Sequence, residues 1–275
     1  MDAIGITVGS FPVAERAVPV VSNRAVNPEY MHLVVAAEPP ATHARAGQFF
    51  HLLCPVSIAG APFLRRPMSV YAAAPERGQV EFLYKLTGAG TRGLGALKPG
   101  DRLDMVGPLG KGFTLEPGWR HIVVLGRGVG LATLAPLAML ARRAGVDVTA
   151  ILSARRPDLV MSADLFREGG ANVVAVTDND GTSAVAAVEK LLRDLAAAGK
   201  ADAFFTCGSN RLMLLTQRLG RELRIPGQVA LEQQMACGLG MCFCCVREFR
   251  AGSEVEHRRV CWDGPVFDLQ EPLSW

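Results

Sequence analysis

The sequence predicts a multi-domain β plus α/β protein: an antiparallel β-barrel, then a parallel-sheet α/β domain, then a small cysteine-rich C-terminal domain. Three observations predict it. Short β-rich runs fill residues 20–116, strands alternate with helices over 117–226, and five of the seven cysteines fall between residues 237 and 261. Closely spaced strands between Gly and Pro breaks build antiparallel barrels or sandwiches. Strands that alternate with helices build parallel sheets with right-handed crossovers. A chain of 275 residues has room for two modest domains and an appendage.

Residues 1–19 carry few signals and are expected to form an N-terminal arm. In the 20–116 domain the strand candidates are HLVVAA (32–37), QFFHLLC (48–54), PMSVYAA (67–73) and VEFLYKL (80–86), and LKPGDRLDMVGPLG (97–110) continues the pattern. The character changes at Trp119. HIVVLG (121–126) is an apolar run ending in glycine, followed by an Ala/Leu-rich helix from Ala132 to Ala144. VDVTAILSA (146–154), NVVAVT (172–177) and ADAFFTCG (201–208) read as further strands, with helices at 184–198 and 210–223. After Pro226 the cysteine-rich domain occupies residues 227–275.

Composition narrows the function classes. A net charge of +3 is too small to argue for nucleic acid or an anionic membrane as partner. No apolar stretch reaches the roughly 18 residues of a membrane span, and the N-terminus lacks the basic start and long apolar run of a signal peptide. The expected location is the cytoplasm. In that reducing compartment, grouped cysteines point to metal or redox chemistry rather than disulfides.

Cys237, Cys242 and Cys245 follow the C-x4-C-x2-C spacing, with Cys261 on a separate stretch. That is the plant-type [2Fe–2S] pattern, in which a loop of small residues turns its N–H groups toward the sulfurs. Gly238 and Gly240 permit the φ values such a loop needs. Four thiolates also suit Zn²⁺, but zinc ribbons usually show two C-x2-C knuckles and this tail shows one. Cys244 reads as a small filler between two ligands.

Four motifs precede the cysteines. Arg66-Pro67-Met68-Ser69 opens a strand; its Arg suits bidentate contact to a pyrophosphate, although an Arg-Pro pair is equally an edge-strand surface. Thr87-Gly88-Ala89-Gly90-Thr91 follows a strand, where small residues let amides approach a phosphate. Gly126-Arg127-Gly128-Val129-Gly130 occupies the first strand-to-helix turn of the α/β domain, the place for a dinucleotide pyrophosphate or a plain glycine turn. Thr206-Cys207-Gly208-Ser209 ends a later strand at the carboxyl edge; Cys207 alone reads equally as a buried small hydrophobe.

Taken in order, RPMS, GAGT, GRGVG, TCGS and the C-x4-C-x2-C…CWDGPVF tail resemble the ferredoxin–NADP⁺ reductase superfamily with a short C-terminal [2Fe–2S] domain. MACGLGMC and VCWDGPVFD resemble, within it, the electron-transfer subunits of NAD-dependent (type B) dihydroorotate dehydrogenases. The resemblance covers residues 20–275. It implies FAD as cofactor, with Arg66 at the pyrophosphate, Pro67 and Met68 against the flavin and Ser69 near its reactive edge. Leu83, Tyr84 and Lys85 match the family's second flavin strand, and Gly90 and Thr91 its pyrophosphate turn. Gly126, Gly128 and Gly130 would face NAD(H), with Cys207 and Gly208 near the nicotinamide. Cys237, Cys242, Cys245 and Cys261 would hold the [2Fe–2S] cluster.

The implied activity is an electron relay between NAD(H), FAD and the cluster, to or from a partner flavoenzyme, with no side chain acting as acid or base. The partner implied is a catalytic dihydroorotate dehydrogenase subunit of pyrimidine biosynthesis, in a heterotetramer with two copies of each. The alternatives are the same module serving another flavoenzyme, an oxygenase reductase, or a subunit that has lost nucleotide binding. Arg127 stands where the family carries glycine, ATLAPL replaces a shorter link to the proline, and Cys244 replaces Gly or Ala. Arg155 and Arg156 reach either a 2′-phosphate or solvent; NAD is expected over NADP.

Overall fold

A computed structural model describes residues 13–58 and 60–274. Its first sheet contains β1 (Ala14–Ala25), β2 (Tyr30–Ala36), β3 (Phe49–Leu52), β4 (Arg66–Ser69), β5 (Ala72–Ala74), β6 (Gln79–Lys85) and β7 (Arg102–Leu109). Their order is β4-β3-β7-β1-β2-β6-β5, antiparallel throughout. PMSVYAA, expected as one strand, is two. β4 and β5 are consecutive in the chain yet lie at opposite ends of the sheet, so Val70-Tyr71 carries the chain across the gap. Val70 N–H donates to Gln48 O and Tyr71 N–H to Glu81 O, both at 2.9 Å. This crossing curls the sheet into a barrel, whose interior holds Leu33, Phe50, Leu52, Phe82, Tyr84 and Met105. A short helix, α1 (Ala89–Gly95), follows β6.

Residues 14–19, expected in an N-terminal arm, are the first half of β1 and pair in register with β7, from Ala14 opposite Gly107 to Pro19 opposite Arg102. Backbone pairing to β7 overrides their weak local signal. Residues 1–12 of the expected arm lie outside the described residues.

The second sheet begins with β8 (His121–Arg127), α2 (Gly130–Arg143), β9 (Asp147–Ala154), α3 (Ala163–Glu168) and β10 (Asn172–Thr177). It continues through α4 (Val185–Ala197), β11 (Ala203–Cys207), α5 (Asn210–Leu223) and β12 (Gly227–Ala230). The parallel order is β10-β9-β8-β11-β12. Alternate side chains of each strand leave opposite faces. Ile122, Val124, Val148 and Phe205 pack against Leu131 and Leu134 of α2 and Phe166 of α3. Val123, Leu125, Ile151 and Phe204 pack against Val188 and Leu192 of α4 and Leu212 and Leu219 of α5. The strand order reverses between β8 and β11, and ligands of open parallel sheets bind at such a point.

The tail forms a hairpin of β13 (Val246–Ala251) and β14 (Glu254–Arg259), the one-turn α6 (Val260–Asp263), and β15 (Val266–Asp268). β15 pairs antiparallel with β12. The sequence-based boundary at Pro226 therefore falls inside a sheet: β12, assigned to the cysteine-rich domain, is the fifth parallel strand of the α/β domain. Cys245, Phe249, Val260 and Cys261 pack on the α4/α5 side of that sheet, and Lys111 N–H donates to Gly264 O at 2.6 Å, tying the tail to the barrel. No helix among the described residues is long and apolar enough to cross a membrane.

Candidate functional site

Barrel, α/β sheet and tail enclose a cavity of about 800 Å³, within the range of cofactor sites. β4 contributes Arg66, Pro67, Met68 and Ser69, β6 contributes Leu83, Tyr84 and Lys85, and the α1 turn contributes Thr91. Eight of the residues singled out from sequence thus share one cavity. Thr91 is fixed because its Oγ1 accepts from the backbone N–H of Thr87 (2.9 Å) and Gly88 (3.2 Å). Gly90 lies under Arg66: a Cβ there would approach the Arg66 Nε to 2.9 Å. Tyr84 lines the cavity but exposes none of its surface to solvent. Its ring is buried in the barrel core, its hydroxyl donates to Asn23 Oδ1 at 3.0 Å, and burial pushes its pKa up to about 12. Lys85 pairs with Glu29 at 2.7 Å, and Glu29 also holds Arg155 of the α/β domain at 2.5 Å.

Several cavity residues were not legible in the sequence. Thr133, inside α2, donates to Ser69 Oγ at 2.9 Å and so bridges the α/β domain to the barrel. Leu231, Glu232, Gln233, Gln234 and Met235 form one wall. The Glu232 carboxylate reaches water through the cavity, yet the protein around it raises its pKa by desolvation. Its Oε1 lies 3.9 Å from Cys207 Sγ, a buried thiol whose pKa burial pushes well up. The only cue to Glu232 was a carboxylate in an otherwise uncharged run five residues before Cys237; Thr133 had none, being one small residue in an Ala/Leu-rich helix.

The glycines of the nucleotide motif lie beside this cavity, at the carboxyl edge of β8 and β11. A Cβ on Gly130 would sit 2.5 Å from Cys207 O and 2.8 Å from Gly208 Cα, so the two turns interlock. Gly126 lies under Leu131 of α2, and Gly128 takes a left-handed φ of 58°. Arg127 leaves this turn and crosses the sheet edge, donating to Ser153 Oγ at 2.8 Å and to both carboxylate oxygens of Asp178 at 3.1 and 2.5 Å. The Arg127 guanidinium and the Ser183 hydroxyl hold the Asp178 carboxyl down to about 2. Arg155 pairs with Glu29 and Arg156 with Asp158, and both arginines are exposed.

In the tail the thiols stand as two pairs, Cys237 beside Cys242 and Cys245 beside Cys261. Among the described residues no three His, Cys, Asp or Glu side chains close on a single-ion site. Cys237 Sγ accepts from the N–H of Leu239 (3.3 Å) and Met241 (3.4 Å), and Cys261 Sγ from Gly240 N–H (3.3 Å). Cys245 Sγ accepts from Cys261 N–H at 3.4 Å. Desolvation works to raise the Cys237 pKa, but the amide donors outweigh it and the thiol is lowered. Cys244 turns away, its Sγ donating to Gln234 O at 3.8 Å. Two dithiolate pairs ringed by N–H donors fit a two-iron cluster, each iron taking one pair. Cys242 is exposed with Met241 and Phe243 around it, whereas Cys245 and Cys261 are buried.

Barrel, parallel sheet, shared cavity and thiolate loop define the class: a ferredoxin-reductase-type electron carrier with an appended iron–sulfur loop. Residues 232–271 match the iron-sulfur cluster binding domain of dihydroorotate dehydrogenase B. The chain is 32% identical to the dihydroorotate dehydrogenase B (NAD(+)) electron transfer subunit of Desulforamulus reducens, over 88% of this chain and 92% of that one. With the subunit of the same name from Geobacillus thermodenitrificans it shares 33% identity, over 92% and 96%. A chain from the structure of NADH-dependent reduced ferredoxin–NADP oxidoreductase, solved in work on flavin-based electron bifurcation, superposes with a TM-score of 0.79 at 27% identity, covering 94% of this chain and 90% of that one. The ferredoxin reductase of carbazole 1,9a-dioxygenase shares the fold, with a TM-score of 0.60 at 21% identity over 78% and 67%. The chain belongs to the family of electron-transfer subunits of dihydroorotate dehydrogenase B.

Proposed function

We propose that this chain relays electrons between NAD(H) and a catalytic dihydroorotate dehydrogenase subunit, through FAD and a [2Fe–2S] cluster. One observation carries the reading: the wall segment Leu231–Met235 of the cavity runs directly into the cysteine loop, so Met235 lines the cavity two residues before Cys237. Bound FAD supplies two-electron exchange with a nicotinamide and one-electron exchange with the cluster. Arg66, crossing Gly90 beside Thr91, presents its guanidinium to the FAD pyrophosphate. Pro67, Met68 and Leu83 supply apolar wall, and Ser69, oriented by Thr133, presents its hydroxyl to the flavin edge. Cys207 and Glu232 flank the place where a nicotinamide would enter, next to the interlocked turns at Gly130 and Gly208. Cys237 and Cys242 would hold one iron, Cys245 and Cys261 the other.

Nucleotide use is retained in this reading, because Arg127 is drawn across the sheet edge to Ser153 and Asp178. NAD is favoured over NADP, because carboxylates already neutralise Arg155 and Arg156. The exposed edge at Cys242 faces the partner subunit, with two copies of each chain in a cytoplasmic complex serving pyrimidine biosynthesis. Anaerobic titration of the purified complex tests this. NADH should bleach the flavin near 450 nm and then the cluster absorbance; a colourless, zinc-loaded protein, or one unbleached by NADH, would contradict the reading.

A further inference from the structure

His51 lies on β3 between Pro67 of β4 and Val106 of β7. It is 1% exposed, and neither Nδ1 nor Nε2 has a hydrogen-bond partner in the protein. Desolvation, reinforced by the charge of Arg65, lowers its pKa to about 4, and in either protonation state the ring carries at least one N–H. Buried donors without acceptors are rare in native proteins, so this one needs a partner.

The ring edge that carries Nε2 abuts the cysteine loop. A Cβ on Gly238 would lie 2.8 Å from His51 Nε2, 3.0 Å from Cδ2 and 3.1 Å from Cε1. Gly238 directly follows Cys237, so the imidazole occupies the space that any larger residue at 238 would need. Phe49, two residues earlier on β3, lines the cavity, with its ring 5.8 Å from that of His51. One short strand therefore touches both sites of the proposed relay.

We propose that His51 donates its Nε2–H to a sulfur of the iron–sulfur centre on the Cys237 side, so that a barrel residue helps set the reduction potential of a centre held by the tail. The proposal rests on ligation by Cys237. The backbone amides of Leu239, Gly240 and Met241 already donate to thiols of the loop, and His51 adds a side-chain donor from a separate element. Hydrogen bonds to cluster sulfurs stabilise the more negative, reduced state and raise the potential.

The test compares native complex, His51→Gln, which keeps a donor, and His51→Leu, which removes it. Iron and sulfide are counted per chain before each EPR-monitored redox titration. At a fixed poise the reduced-to-oxidised ratio of the His51→Leu cluster is expected to fall about tenfold, a shift of about 59 mV for one electron, while His51→Gln stays within about threefold of native. A His51→Leu cluster with full iron and native potential overturns the proposal. If His51→Leu does not fold, the native complex labelled with ¹⁵N-histidine decides. Its reduced cluster should show a weak ¹⁵N coupling by pulsed EPR that disappears in His51→Gln, and absence of that coupling in the native complex overturns the proposal. An iron-free native complex would instead overturn the cysteine assignment, and the iron count distinguishes the two failures.

Discussion

The turn at Gly126–Gly130 and the loop at Gly238–Gly240 are both glycine-rich, and they use glycine differently. At the sheet edge Gly130 is required because backbone meets backbone, with Cys207 O lying where its Cβ would be. In the cysteine loop Gly240 takes a φ of 78°, and its N–H donates to Cys261 Sγ. There the freedom of glycine serves to aim a donor at a sulfur. The same contrast holds for charge. The sheet edge is laced with ion pairs (Arg127 and Arg211 on Asp178, Arg155 on Glu29), whereas the hydrogen bonds that reach the loop sulfurs come from backbone amides, with the Arg259–Asp263 pair beside them and Arg259 donating to Gly240 O at 3.0 Å. The paired charges hold the turn in place, and amide donors suit sulfur whose charge changes by one electron. Similar local sequence therefore acquires its meaning from the surface it faces.

The largest expected effect separates ligand from neighbour within the cysteine loop. Cys261→Ser should abolish the cluster, read as loss of its absorbance beyond 400 nm and of its EPR signal, with FAD retained. Cys244→Ser should keep both, because its thiol points to Gln234. Next come the glycines. Gly130→Ala forces a Cβ into Cys207 O and should destabilise by about 1–3 kcal/mol, with loss of NADH-driven flavin reduction. Gly240→Ala meets Trp262 at 2.9 Å in a left-handed conformation. It should cost a similar ~1–3 kcal/mol locally and lower iron content while leaving the flavin in place. Equal loss of flavin and iron in both variants would erase the contrast between the two turns.

Smaller effects test the charged edge. Asp178 has a pKa depressed in the folded state, so its pairing stabilises the fold at neutral pH and that contribution fades as pH falls from about 4 toward 2. Asp178 is partly exposed, so Arg127→Ala should cost about 1 kcal/mol or less at pH 7 and progressively less as pH falls toward and through about 2, measured by denaturant unfolding across that range. An effect of similar size is expected for Thr133→Val. It removes one hydrogen bond to Ser69, a loss of about 0.5–1.5 kcal/mol, and should weaken FAD binding several-fold in an equilibrium titration without altering iron content.

Legibility in the sequence followed the range of the interaction. Strand and helix periods placed β8 to β11 and α2, α4 and α5 within a few residues, since side-chain alternation is a local property. The α3 helix is not legible: it is only six residues long, and of its residues only Phe166 is fully buried, with Ala163 and Leu165 partly buried against the same core. β12 does not read as part of the α/β sheet from sequence, because its four residues become a strand only through pairing with β11 on one side and β15 on the other. PMSVYAA reads as one strand, because nothing in its composition announces that Val70 and Tyr71 bond to opposite ends of a curled sheet.

The sequence alone carries the order of units, the four-cysteine set with its spacing, and the RPMS and Thr91 positions that share the cavity wall. Each is encoded by residue type and short-range spacing. Only the tertiary structure decided that Thr133 and Glu232 join that wall, that Arg127 is drawn off to Asp178, that Cys244 faces away from the other thiols, and that His51 lies against Gly238. These depend on residues 25 to 187 positions apart meeting across packed elements: Thr133 with Ser69, Glu232 with Cys207, Arg127 with Asp178, and His51 with Gly238. A contact between elements is a property of their packing, and no local pattern carries it.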